Sequence, residues 1–205
     1  MMQKSRIKRS KVVAITAIFG ALAIFCTQLW IPLFFGNPNL GSTPVTVAGV
    51  LCPMPIGIVV GIIKGIGASL WTGQPFIEIP AGVGDALMAA FANYLARRWK
   101  KSVYAAICGQ LSRYLFTSGI IALYIGLAVS FGSQGPETSV FQALLKKFPW
   151  FVQIASSLPH PIANVVVVWA AILPAVTLSI AANMFISTLV IAAAGKKLEE
   201  LLKIG

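Results

Sequence analysis

The sequence IGIVVGIIKGIGASLW, residues 56–71, has only one charged side chain, that of Lys64. A helix of this length extends about 24 Å, close to the roughly 30 Å thickness of the hydrocarbon core of a bilayer. Comparable apolar runs lie on both sides of it, and none alternates between polar and apolar residues. The pattern therefore predicts a series of membrane-spanning helices.

Composition agrees with this interpretation, since 58% of the 205 residues are apolar and 10% are charged. Soluble domains carry about 25% charged residues. The sequence predicts an all-α integral membrane protein that forms one transmembrane domain, residues 1–205, and contacts the lipid bilayer on its outer surface.

The net charge of +11 comes mainly from three basic clusters that flank apolar runs, at residues 4–11, 97–101 and 196–203. The positive-inside rule assigns such clusters to the cytoplasmic side, where they also meet anionic lipid headgroups. We therefore expect a multi-pass protein of the cell (plasma) membrane with both termini cytoplasmic. The basic N-terminus would be residues 1–10 and the C-terminus residues 196–205. This distribution disfavours a nucleic-acid-binding protein.

Placing all three clusters on one side requires an even number of crossings between each pair of them. This count gives a six-transmembrane-helix bundle, provided that the short apolar stretch 45–52 counts as a span. Residues 132–174 would then form an outer loop, with a re-entrant or lid segment before the last helix. The predicted spans are residues 11–35 (broken near Pro32), 45–52, 56–71, 81–99, 102–131 and 175–202.

Away from the charged ends of the predicted spans, three charges fall within them: Lys64, Asp85 and Arg113. Charged groups at such depth usually face the bundle interior or a wet cavity and pair with one another. Two interpretations stay open. Asp85 could form salt bridges that hold the bundle together, or Asp85 or one of the cations could also contact a charged group of a solute.

Polar and aromatic side chains near the outer ends of the spans predict a solute-binding pocket. Flat indole faces with a few amides and one carboxylate suit a planar polar heterocycle, although tryptophans also form the aromatic belts at membrane interfaces. His160, between two prolines, is interpreted as a structural loop residue. The candidate substrate-binding residues are Trp71, Gln74, Glu78, Asp85, Arg113, Trp150, Asn164 and Asn183.

Catalytic motifs are absent from the sequence, which contains no GxxxxGK[ST] phosphate-binding loop, no HExxH and no GxSxG. Cys26, Cys52 and Cys108 have no CxxC or His/Cys spacing and are interpreted as packing residues, so no disulfide framework or zinc site is predicted. We expect neither an enzyme nor a bound metal or cofactor.

Small residues recur at a spacing of four, which places them on one helix face and allows close helix approach. Gly57, Gly61 and Gly65 are interpreted as internal packing. For Ala17 and Ala21 in the first span, docking of a partner protein is the alternative to internal packing.

Several features in sequence order resemble the S component of an energy-coupling factor (ECF) transporter, the substrate-specific membrane subunit of a vitamin importer. A basic N-terminus precedes Ala17-xxx-Ala21, and Pro55-Ile56-Gly57 starts a glycine-rich helix that carries Lys64. The segment 76–80, FIEIP, leads through Asp85 into a helix that ends at residues 97–98.

The resemblance implies six helices and an outward pocket that captures a vitamin or vitamin precursor. It also implies docking through Ala17 and Ala21 onto a transmembrane coupling subunit, with two cytoplasmic ATPases as further partners. S components are thought to tip within the membrane to release their solute inward.

Two other classes remain open. A self-contained channel or secondary transporter would use Lys64, Asp85 and Arg113 as an ion path. A small membrane enzyme would have to rely on Glu78, Asp85 or His160.

Overall fold

The computed structural model describes residues 9–30, 38–147 and 149–201, and these ranges contain helices and short connections. An isolated β-bridge joins Trp30 to Asn39. The helices are α1 (Arg9–Thr27), α2 (Ser42–Leu51), α3 (Met54–Thr72), α4 (Pro75–Trp99), α5 (Ser102–Ser112), α6 (Phe116–Ser130), α7 (Pro136–Lys147), α8 (Trp150–Ser157) and α9 (Ile162–Leu201).

Five segments of the described chain are long and apolar enough to cross a membrane: α1, α3, α4, α5 with α6, and α9. The prediction of an all-α membrane bundle is therefore confirmed. The helix α2 corresponds to the predicted short span, but its ten residues extend only about 15 Å, half of the hydrocarbon thickness. The count of six crossings, the sidedness and the division of the chain into cytoplasmic and outer segments stay predictions.

The short helix α2 lies in the middle of the bundle, and every residue from Ser42 to Val50 is buried. Backbone groups at a helix end need partners when no water is present. Asn93 of α4 supplies them at the C-terminal end, because its side-chain amide donates to the carbonyls of Gly49 at 2.8 Å and Cys52 at 2.7 Å. One buried amide thus binds two carbonyls at the end of this enclosed helix.

Glycines bring α3 and α4 into backbone contact. A Cβ atom on Gly61 would lie 2.6 Å from the Ala86 nitrogen, and one on Gly65 would lie 2.7 Å from the Gly82 Cα. Gly57 packs in the same way against Gly49 of α2. The interpretation of these glycines as internal packing residues is confirmed.

The predicted helix 102–131 is interrupted in its middle, between α5 and α6. The amide of Arg113 bonds to the Gln110 carbonyl at 3.2 Å, and the amide of Ser118 bonds to the Arg113 carbonyl at 3.0 Å, so a tight turn is followed by a wide one. The Trp169 indole of α9 donates to the Tyr114 carbonyl and to the Ser118 hydroxyl. Tertiary contacts therefore stabilise an irregular backbone at the residue that carries a buried charge.

The last helix differs from its prediction. It begins at Ile162 rather than near residue 175, and its 40 residues extend about 60 Å. The predicted lid boundary at residue 174 is therefore wrong, although α7 and α8 do precede α9. Val167, Val168 and Ile172 pack into the same apolar cluster as Ile121 and Ile125 of α6. The helix continues through Pro174 because it packs against α6. Proline has no backbone N–H to donate, and contacts with neighbouring helices compensate for this in membrane bundles.

Some sequence predictions lie outside the described residues. These are the basic residues Lys4, Arg6 and Lys8, the helix break near Pro32, and Lys203 near the C-terminus.

Candidate functional site

A small cavity lies toward the end of the bundle where α4 begins, away from the basic turn at residues 97–101. Its volume is about 90 Å³, and the segment before α2 forms one wall while α3, α4, α6 and α9 form the others. The polar lining consists of Asn39, Lys64, Glu78, Arg113, Thr117 and Ser179. The remaining wall is mostly branched aliphatic, with Ile77, Ile121, Ile125, Ile172 and Val176.

Asp85 is completely buried directly behind the polar wall. One carboxylate oxygen accepts from Lys64 Nζ at 2.9 Å and from the Ser42 hydroxyl at 2.6 Å. The other accepts from Arg113 Nε at 3.1 Å and from the Thr117 hydroxyl at 2.9 Å. Four donors on four different helical segments or turns thus converge on one carboxylate.

Close helix packing explains why these groups meet. The contacts of Gly61 with Ala86 and of Gly65 with Gly82 place Lys64 of α3 beside Asp85 of α4. A Cβ atom on Gly84 would collide with the backbone of Thr117, so the absence of a side chain there brings α6 against Asp85. The close contact of the helix backbones at these glycines therefore brings the donors within hydrogen-bonding distance of Asp85.

The interruption between α5 and α6 orients Arg113. Its Nη1 atom donates to the Gln110 side-chain oxygen at 3.3 Å and to the Ser179 hydroxyl at 3.2 Å. The guanidinium group is thereby held between α5 and α9, with one edge on Asp85. Both bridges that the sequence allowed for Asp85 are formed, since Lys64 and Arg113 bind it simultaneously.

Glu78 is the carboxylate that lines the cavity itself. Its side chain is 7% exposed and lies near the start of α4, about two turns before Asp85. The predicted site residues Glu78 and Arg113 therefore meet in one cavity, whereas Asp85 lies behind its wall and contacts no open space.

Asn183 of α9 supports the cavity from outside. Its amide nitrogen donates to the Asn39 carbonyl at 2.6 Å, and its oxygen accepts from the Thr43 hydroxyl at 2.8 Å. The Ser179 hydroxyl also donates to the Asn39 carbonyl at 3.3 Å. Asn183 thus positions Asn39 at the cavity wall but does not line the cavity.

Four other predicted site residues lie elsewhere. Trp71 is 61% exposed and Trp150 is 52% exposed, Gln74 precedes the first turn of α4, and Asn164 donates to the Ser130 hydroxyl between α6 and α9. None of them is among the residues that line the cavity. The two exposed tryptophans match the aromatic-belt interpretation better than the stacking one.

Sequence reasoning missed Asn39, Thr117 and Ser179 in the lining and Ser42 and Gln110 in the network behind it. Asn39 and Ser42 belong to a polar loop, and Ser179 is a small polar residue within an apolar run, which is common in membrane helices. Gln110 and Thr117 carried a usable signal, because they lie three residues before and four residues after Arg113 and so on the same helix face.

The predicted docking residues lie on an open helix face. Ala17 and Ala21 of α1 are exposed, whereas Gly20 is buried against α3, where an added Cβ atom would lie 2.9 Å from the Ile63 side chain. Two functions of small residues are therefore separated around α1: Gly20 packs internally, and the two alanines face outward.

Within the described parts of the chain, no group of three or more His, Cys, Asp or Glu side chains is arranged to hold a metal ion. The described cysteines are unpaired thiols, and Cys52 is buried.

Comparison with known proteins reveals similarity at the level of structure. No family model matches the sequence, and no curated protein matches it. Among solved structures, the S component of a bacterial ECF transporter matches with a TM-score of 0.56 and 16% sequence identity. The match covers 96% of this chain and 99% of that one. The resemblance to the S components that the sequence order indicated is therefore confirmed for the fold.

Proposed function

We propose that this chain is the substrate-binding S component of an ECF-type importer and not an enzyme. The single observation that carries the proposal is the match in fold to a solved S component over nearly the full length of both chains. A cavity with both polar and apolar walls supports it, since small-molecule sites combine apolar lining with a few placed polar groups.

The solute would bind in the cavity beside Glu78 and Arg113. Lys64, Asn39, Thr117 and Ser179 complete the polar wall, and the isoleucines contact the apolar part of the solute. The cavity of about 90 Å³ is smaller than the 300–1,000 Å³ that is typical for drug-sized ligands. Binding of a vitamin or vitamin precursor would therefore require the surrounding segments to move outward, whereas a smaller solute needs less movement.

Energy would come from partner proteins, because the sequence contains no phosphate-binding loop for ATP. A transmembrane coupling subunit and two cytoplasmic ATPases would supply it. The exposed alanines of α1 provide a face on which a helix of the coupling subunit could pack closely.

Reconstitution tests the proposed function. Proteoliposomes that contain the chain, a coupling subunit and the ATPase pair are expected to accumulate the solute that co-purifies with the chain, and only when ATP is supplied. The chain alone is expected to bind this solute without accumulating it. Accumulation by the chain alone, without ATP, would instead identify a secondary transporter.

The docking face is tested in the same assay with Ala17→Trp combined with Ala21→Trp. Bulky side chains on this face should prevent coupling-subunit packing, so uptake should fall to background while solute binding to the purified variant stays unchanged. Ala181→Trp combined with Ala193→Trp, at exposed positions of α9, is the matched control and should keep uptake. Equal loss of binding and uptake in the α1 variant would contradict a docking role.

A further inference from the structure

The carboxylate of Glu78 has no hydrogen-bond or salt-bridge partner among the residues that the structure describes, although the residue is only 7% exposed. Every fully enclosed side-chain nitrogen and oxygen of the described chain does have a partner. The oxygens of Glu78 therefore reach open space, and the cavity that Glu78 lines is that space. A buried carboxylate without a partner is costly unless a ligand or water completes its bonds.

Arg113 provides complementary groups in the same cavity. Its Nε and Nη1 atoms donate to Asp85, Gln110 and Ser179, but Nη2 has no acceptor among the described residues. A guanidinium group carries five N–H donors, and two of them are on Nη2. The cavity therefore presents an acceptor at Glu78 and an unused donor edge at Arg113.

Charge balance restricts the solute further. Lys64 and Arg113 carry two positive charges and Asp85 carries one negative charge, so this group alone is positive. With Glu78 ionised, the four side chains around the cavity sum to zero. Since net charge is costly in an apolar interior, a solute without net charge leaves this balance intact, whereas a cation or an anion disturbs it.

We infer that the cavity takes a solute of zero net charge that donates a hydrogen bond to Glu78 and accepts one from Arg113, while its apolar body lies against the isoleucine wall. This inference rests on the proposed function and names the chemical class of its solute. Heterocycles that carry an amino group beside a ring nitrogen or carbonyl have a hydrogen-bond donor next to an acceptor, and so do carboxamides.

Three probes of the same size and shape test the inference: benzamide, benzamidine and benzoate. They share a phenyl ring but carry a neutral donor–acceptor edge, a cationic donor edge and an anionic acceptor edge, respectively. Binding to the purified protein is measured by saturation-transfer NMR and by displacement of the co-purified solute. Benzamide is expected to bind most tightly and to displace the solute.

Glu78→Gln then changes the charge without changing the shape. The side chains of Lys64, Asp85 and Arg113 then leave the cavity with a net positive charge. The affinity for benzoate relative to benzamide should therefore rise by about tenfold, comparable to the contribution of one hydrogen bond to a charged group. Glu137→Gln is the matched control, because Glu137 is also buried but does not line this cavity. It should leave the ranking of the three probes unchanged.

The inference is overturned if benzamidine or benzoate binds most tightly to the unmodified protein, if no probe binds, or if Glu78→Gln leaves the affinity for benzoate relative to benzamide unchanged. These results would leave the proposed transport function valid, because ATP-dependent uptake with the coupling subunit is measured in a separate assay. Conversely, loss of uptake with the expected probe ranking would refute the transport role and leave the chemistry of the cavity in place.

Discussion

At the scale of single residues, Asp85 holds the polar centre of the bundle together. Both of its oxygens accept two hydrogen bonds, and two of the four donors are cations. Burying any charge costs several kcal/mol, and the cost is offset only when partners and geometry are good. Asp85 has such partners, whereas Glu78 has none among the described residues. The two carboxylates therefore differ: Asp85 is satisfied within the protein and stabilises the fold, whereas Glu78 has no such partners, which agrees with its proposed contact with a solute.

Asp85→Asn should strongly destabilise the protein. The substitution leaves Lys64 and Arg113 buried without a compensating negative charge, and removing one partner of a buried pair typically costs about 3–5 kcal/mol. Thermal unfolding in detergent, followed by tryptophan fluorescence, measures the effect. Glu78→Gln should lower the unfolding temperature far less than Asp85→Asn, since it breaks no hydrogen bond or salt bridge between described residues.

A double variant checks that the loss comes from uncompensated charge. Asp85→Asn combined with Lys64→Gln should be less destabilised than the sum of the two single variants, because the second substitution removes a charge that the first left unpaired. Additive losses would contradict the pairing of these two residues.

At the scale of helices, the interruptions lie around the cavity. The segment before the short helix α2 lines the cavity through Asn39, and the turn at Arg113 divides what the sequence presents as one span. Irregular backbone in a membrane is tolerated where it is enclosed by protein or lines a cavity. Regular helices, by contrast, pack tightly through glycines at the α3 and α4 contact. The polar wall is therefore built where rigid packing and irregular backbone meet.

Gly65→Ala tests the importance of this helix contact. A Cβ atom at this position would lie 2.7 Å from the Gly82 Cα and 2.8 Å from the Glu78 carbonyl oxygen, and backbone atoms cannot easily move aside. Overpacking of this kind costs about 1–3 kcal/mol. We expect a lower unfolding temperature and weaker solute binding, because the backbone of Glu78 must shift.

Gly119→Ala serves as the matched control in α6, where no atom lies within 4 Å of an added Cβ. Alanine is favoured over glycine in a helix by up to about 1 kcal/mol. The control should therefore be neutral or slightly stabilising. An equal loss of stability in both variants would contradict the importance of the α3 and α4 contact.

At the scale of the whole molecule, the cavity and the basic turn lie toward opposite ends of the bundle. Glu78 is near the start of the 25-residue helix α4, and Arg97 and Arg98 are at its end. If the basic turn faces the cytoplasm, the cavity opens on the outer half of the membrane, as capture of an external solute requires.

Cysteine labelling tests this orientation. In a variant whose three native cysteines are replaced by alanine, Lys100→Cys is expected to react with a membrane-impermeant maleimide only after the cells are permeabilised. Gln74→Cys, at the other end of α4, should react in intact cells. The reversed pattern would contradict the cytoplasmic placement of the basic clusters and also the outward opening of the cavity.

The sequence alone determined the class of the protein and the approximate position of most helices. Long apolar runs force helices in a bilayer, since each unsatisfied backbone group there is costly. It also singled out Lys64, Asp85 and Arg113, because charges within such runs are costly and therefore rare, and Glu78 as a carboxylate near the outer end of a predicted span. The order of these features was enough to indicate the fold.

Contacts between helices that are distant in sequence determine which charges pair with each other and which face the cavity. Asp85 and Glu78 are both candidate binding residues from the sequence, but glycine contacts and the turn at Arg113 bring four donors to Asp85 and none among the described residues to Glu78. The extent of α9 through Pro174 and the enclosure of α2 also depend on contacts between distant segments. Local patterns specify which segments enter the membrane, whereas the packing of side chains and backbone between helices determines the site.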